Sequence, residues 1–221
     1  RKWTEAEVQR EVNYSYQKVV GKAMTTWQDF YLQSSLFSLV MNQQEYGVSD
    51  GLPDDVYKIR RIELNYYITT NPTAFAKAMP IESNQIKTSL ANASVGSANV
   101  PFYYVYGYED TLKIGFVPIP KQAAASGGKL WYIPKIANMT ATSDVVRIPY
   151  AERFSDIVSL EAAGNLLRKG QVAEGAANTY IAEGEAMREL MNQELEERIA
   201  DEAKVITSSL GANDLDFGSP F

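Results

Sequence analysis

Residues Phe102–Ile136, FYYVYGYEDTLKIGFVPIPKQAAASGGKLWYIPKI, carry the clearest strand pattern in a chain whose two ends read as helix. Phe102, Tyr104 and Tyr106 alternate with Tyr103 and Val105, and Leu112, Ile114 and Phe116 alternate with Thr111, Lys113 and Gly115. That period of two predicts a β-hairpin over Phe102–Val117. Its turn falls in Gly107-Tyr108-Glu109-Asp110, where glycine supplies permissive backbone angles and aspartate can bond its own main chain. Pro118 and Pro120 stop the second strand, since proline donates nothing to the ladder. Gly127-Gly128 then opens a third run, Leu130–Ile133, and the three together predict a meander.

Helices are expected on both sides. Thr4-Glu5-Ala6-Glu7 has the form of a capping box, and Val8, Val12, Tyr16, Val19 and Val20 follow at helical spacing, giving a first helix over Thr4–Val20 that Gly21 breaks. Trp27, Phe30, Tyr31, Phe37, Val40 and Met41 recur every three to four residues, giving a second amphipathic helix from about Thr25 to Gly47. Core packing is the commoner use of such an aromatic stripe, a partner-binding face the rarer one. Val56–Ile68 is rich in β-branched and aromatic residues and reads as a strand. Arg60 and Arg61 within it point to opposite faces, so a solvated or ion-paired role suits them. Ile81–Leu90 reads as a short helix, Ala91–Val100 as loop, and Val145–Ile148 as a further short strand. From Pro149-Tyr150 a helix runs to Lys169-Gly170, and another from Val172 to about Ile206. Gly175 and Gly184 each cost the latter about 1 kcal/mol relative to alanine, so packing must hold it together.

The chain of 221 residues is thus expected to be α+β and mainly helical. The organisation is one helical-bundle domain over 1–206, with a β-hairpin and meander inserted at about 56–68 and 102–148. An extended C-terminal arm over 207–221 completes it. A hydrophobic fraction of 45% is ample for a core. No apolar run is long enough to span a bilayer, and the charged, helical start lacks the apolar centre of a signal peptide. Asn-x-Ser/Thr triplets at Asn13, Asn92 and Asn138 then read as chance.

A formal charge of −6 argues against a surface built to hold phosphates. The chain has neither cysteine nor histidine. That removes disulfides, thiolate and imidazole metal sites, and Ser-His-Asp or Cys-His catalysis together. No cofactor is expected. Gly127-Gly128-Lys129 fails as a phosphate loop, which needs glycine at Ala123 and Ser or Thr at Leu130. Asp54, Asp55, Glu109 and Asp110 lie at turns, and no spacing singles out an acid and a base.

Three features point to interaction instead. The hairpin carries aromatic residues on both faces, Tyr103 and Tyr106 among them, with Tyr108, Glu109 and Asp110 at its turn, whereas a half-solvated hairpin needs only one such face. The span Glu183–Glu202 sets eight carboxylates against Arg188 and Arg198. Glu194, Glu196 and Glu197 within it form either a solvated helix face or a functional negative surface, one expected to line or approach a DNA path because carboxylates repel phosphates at short range. The tail Ser208–Phe221 keeps Leu210, Leu215, Phe217 and Phe221, apolar anchors that suit ordering on a partner.

In order and local pattern the chain resembles the head–tail adaptor (connector) proteins of tailed bacteriophages. The residues that carry the resemblance are Leu52-Pro53-Asp54-Asp55 before a strand, the proline-terminated Tyr103–Pro120 hairpin, the Gly128–Tyr132 strand ending at Pro134, and Ile148-Pro149-Tyr150 entering an Ala-, Leu- and Gly-rich helix. It covers about Leu52 to Leu190. The resemblance implies a non-enzymatic virion protein of the neck, assembled in the host cytoplasm. Such proteins form a twelvefold ring of copies beneath the portal protein, dock a C-terminal arm on it, present a platform for tail or nozzle proteins, and extend a channel through which DNA passes without specific binding. No membrane and no catalytic residue is implied. A carboxylate-dependent hydrolase of a phage particle, and a monomeric ligand-binding module using the aromatic hairpin, are the alternatives.

Overall fold

The computed structural model describes residues 3–82, 96–107, 111–140, 146–171 and 173–213, with side chains of the final helix described as far as residue 198. The chain forms an α+β fold of two compact units, one built from residues 1–30 and 136–221, the other from residues 31–135. Helices make the first and strands the second.

Helix α1 spans Glu5–Thr26 and starts at the predicted capping box: Thr4 Oγ1 accepts from the Glu7 amide at 3.2 Å while the Thr4 amide donates to Glu7 Oε2 at 2.9 Å. It runs through Gly21, because Val19, Val20, Ala23 and Met24 continue one buried stripe and packing outweighs the weak propensity of a single glycine. Two helices replace the single one expected after Tyr150: α2 at Ala151–Phe154 and α3 at Asp156–Gly170. Gln171, not Gly170, takes the left-handed position that ends α3. The last helix, α4, spans Glu174–Asn213, so the first residues of the expected arm, 207–213, are helical; 214–221 lie outside the described residues.

Ion pairs fix how these helices meet. Lys169 reaches Glu11 and Lys18 reaches Glu161, so α1 and α3 run antiparallel. Arg188 reaches Glu161, and Arg168 donates to Asn178, so α3 and α4 are antiparallel as well. Gly164 permits the closest approach: a Cβ there would stand 2.5 Å from Ile181 Cγ1 and 3.0 Å from the Ala177 carbonyl oxygen. Gly184 sits similarly against Glu161, whereas Gly175 has no neighbour that a Cβ would meet. Between the helices Phe154, Ile157, Met191 and Leu195 are fully buried, at about 1.5–3 kcal/mol each.

The β unit holds two four-stranded sheets. The first has the order β1 (Gln33–Leu39), β8 (Ala124–Pro134), β3 (Val56–Leu64), β4 (Ala76–Lys77). The second has the order β2 (Glu45–Tyr46), β7 (Lys113–Val117), β6 (Phe102–Tyr106), β5 (Met79–Pro80). The expected hairpin is present as β6–β7, with Tyr104 opposite Gly115, and Gly107 before the turn takes φ +74°. Residues 108–110 of the turn lie outside the described residues.

Several expectations are corrected here. The helix over Thr25–Gly47 is absent: a short 3-10 turn at Gln28–Tyr31 leads into β1 and then β2. Phe37 and Leu39 are buried while Ser34, Leu36 and Ser38 are exposed, a period of two that the helical spacing of the larger aromatics masks. The meander is also absent, since the third run, longer than expected, crosses to the other sheet and pairs with β1 and β3. Strand β3 ends at Leu64, where the Asn65 side chain accepts from the Tyr67 amide and donates to the Asn71 carbonyl, turning the chain. Residues 146–148 form no strand, and 83–95, where most of the short helix was expected, lie outside the described residues. One core joins the sheets: the rings of Phe37, Tyr46 and Phe116 lie 5.4–5.8 Å apart, backed by Ile62, Leu64, Ile114 and Leu130.

Candidate functional site

Among the described residues, the candidates that geometry singles out are surfaces. On the hairpin, alternation assigns the tyrosines to two faces. Tyr103 is half-buried against the β core, and burial raises its pKa. Tyr104 and Tyr106 lie on the outer face with rings 6.2 Å apart and nearly parallel, both donating to Glu45 of β2, at 3.2 Å and 2.5 Å. Gly115 makes this possible, because a Cβ there would stand 2.1 Å from the Tyr104 ring. Burial and the Glu45 carboxylate push Tyr104 up to about 12, and the hydrogen bond that Tyr106 donates to Glu45 raises Tyr106. Tyr106 remains exposed. Tyr108, Glu109 and Asp110 lie outside the described residues.

The acidic segment of α4 divides by side chain. Glu194 is bound to Arg153 of α2, whereas Glu196 and Glu197 are exposed. Ala177, Gly184, Met191 and Leu195 form the buried stripe, which leaves Glu183, Leu190 and Glu197, spaced by seven residues, on a solvent-facing stripe. Leu190 is 41% exposed there. Glu189 and Glu196 stand on a second exposed stripe beside it. Leu210 lies within α4, and Leu215, Phe217 and Phe221 lie outside the described residues.

The outer face of the first sheet is the surface that sequence reasoning missed. Strand register sets Ser34, Trp131 and Arg61 in one row across β1, β8 and β3, and Leu36, Lys129, Glu63 and Lys77 in the next, reaching β4. Arg61 and Lys129 both approach the Trp131 ring, at 5.0 and 4.2 Å from its centroid, and the indole N–H donates to Glu63 at 2.8 Å. Arg61 pairs with Glu63 at 3.2 Å, the ion-paired role expected of one of the two arginines. The face therefore has a Trp131 and Leu36 centre with three cations and one carboxylate around it, and Leu36 is 54% exposed. Its signal in the sequence was the alternation of Lys129 and Trp131 with buried Leu130 and Tyr132.

Among the described residues no group of acidic side chains is arranged to hold a metal ion, and no helix is long and apolar enough to cross a membrane. Asp54 and Asp55 occupy a turn before β3, as predicted. Asp55 bonds the Tyr132 hydroxyl. Neither a protein-family model nor a curated protein sequence matches this chain.

Proposed function

We propose that this chain is a non-enzymatic, ring-forming structural subunit of a phage particle, a head–tail adaptor bridging the portal protein and the tail. The observation that carries the reading is a complete β unit followed by the helices α2 to α4, the order of hairpin, strand and Ala-, Leu- and Gly-rich helix on which the resemblance to adaptor proteins rests. Its conspicuous side chains are distributed as contact surfaces, apolar centres ringed by charge, which is the composition of an interface rather than of a reaction centre. In such a ring the exposed Glu189 and Glu196 stripe of α4 serves as a channel wall, since carboxylates repel phosphates at short range where lysines would hold them. The segment beyond α4 docks on the portal.

Purification of particles from cells producing a tagged chain tests the reading. The chain is expected with portal and tail proteins, as rings at the neck in electron micrographs; its absence from particles rejects the assignment.

A further inference from the structure

The chain displays two exposed surfaces of opposite charge and the same construction. The outer face of the first sheet centres on Leu36 and Trp131 and is ringed by Arg61, Lys77 and Lys129. The solvent stripe of α4 centres on Leu190 between Glu183 and Glu197. On the sheet three cations outnumber the one carboxylate, Glu63. An exposed leucine set in a net positive rim suits a matching surface of net negative charge, with the apolar centres excluding water and the charged rims setting register. Both surfaces belong to every copy.

We infer that copies associate head to tail, the cationic face of the first sheet in one seated on the Glu183–Leu190–Glu197 stripe of α4 in the next. This rests on the ring-forming reading and names the surfaces that make the ring. The contact joins unlike patches, so it is heterologous and propagates until rotation closes it. It also separates the two acidic stripes of α4: the one with an apolar centre binds a neighbour, and the Glu189 and Glu196 stripe is left to the channel.

The absence of cysteine makes the contact directly testable. One preparation carries Leu36→Cys and another Leu190→Cys, and each is treated with a short bismaleimide alone and then mixed with the other. Linked dimers are expected in the mixture and not in either preparation alone. Adding Lys77→Glu and Lys129→Glu to the Leu36→Cys chain should cut the yield at least tenfold, and Glu183→Lys with Glu197→Lys in its partner should restore it. Circular dichroism of each variant checks that it folds. Three results overturn the inference: no linking in the mixture at the highest soluble concentration, equal linking within a single preparation, or linking indifferent to charge reversal. Rings that form in particles despite any of these would leave the adaptor reading intact and move the contact elsewhere. Linking as expected in a chain that never enters particles would do the reverse.

Discussion

Gly128 of β8 stands directly opposite Phe37 of β1, and the Phe37 ring lies across it so closely that a Cβ would come within 2.1 Å of the ring. The same device recurs in the second sheet, where Tyr104 covers Gly115. In each case an aromatic side chain fills the gap that glycine leaves in the ladder. Gly128→Ala is expected to cost about 1–3 kcal/mol by overpacking. In a Phe37→Ala background the same change should cost little more than the Phe37 replacement itself. Urea unfolding of the four chains of that cycle measures the coupling, and strictly additive losses would show that the ring does not depend on the glycine.

Glu161 is buried between helices with Arg188 and Lys18 as its partners. Arg188→Ala removes the less exposed cation and should destabilise the helical unit by about 3–5 kcal/mol, because a carboxylate is left poorly compensated away from water. Arg188→Met combined with Glu161→Met should recover most of that loss, Lys18 being exposed enough to hydrate. Chemical denaturation followed by helical circular dichroism gives both values.

Alkaline stability depends on the β unit's tyrosines. Tyr104 and Tyr132 are raised from 10.0 to about 12, Tyr104 by burial and then Glu45, Tyr132 by burial and then Asp55. Burial pushes Tyr66 higher still. Between these limits the folded chain retains protons that the unfolded chain releases, so the stabilisation is complete below pH 10 and is lost as pH rises through about 12. Ultraviolet tyrosinate titration should show these groups ionising together with unfolding. Tyr104→Phe should shrink the pH-dependent loss, and an unchanged profile would remove Tyr104 from the cause.

Charge reversal of Glu189 and Glu196 to Lys tests the channel stripe. Both are exposed, so the melting temperature should hold within a few degrees while DNA release from particles slows at low salt and recovers as salt screens the added charge. Normal release at low salt would place that stripe away from the DNA path.

What the sequence made legible was local. The Thr4–Glu7 cap, the β6–β7 pairing and the turn position of Gly107 follow from nearest-neighbour rules that need no knowledge of the rest of the chain. The error over Thr25–Gly47 arose because Phe30, Phe37, Val40 and Met41 fit a helical period by spacing. Phe37 is buried whereas Phe30, Val40 and Met41 are exposed, so that period never described a buried face. Missing β1 removed the partner that draws β8 into the first sheet, and one mistaken period thereby became a mistaken sheet. The Trp131 face was legible only as the alternation of Lys129 and Trp131, for a related reason: its members come from four strands, and only register brings Leu36, Lys129, Glu63 and Lys77 into line.

The pairing of Gln33 with Tyr132 has an evolutionary side. It sets the incoming and outgoing chain of the β unit on adjacent strands, so the segment 31–135 begins and ends side by side. A piece attached in this way can be transplanted. Bridging a gap between neighbouring strands takes only a few Gly-Ser residues, for which the closure entropy is small. The excised segment is expected to give a dispersed amide NMR spectrum by itself, and the helical remainder, closed with such a bridge, to keep a cooperative melt. Lineages that traded this segment for another would then have changed what one part of the subunit touches while leaving the helical part unaltered.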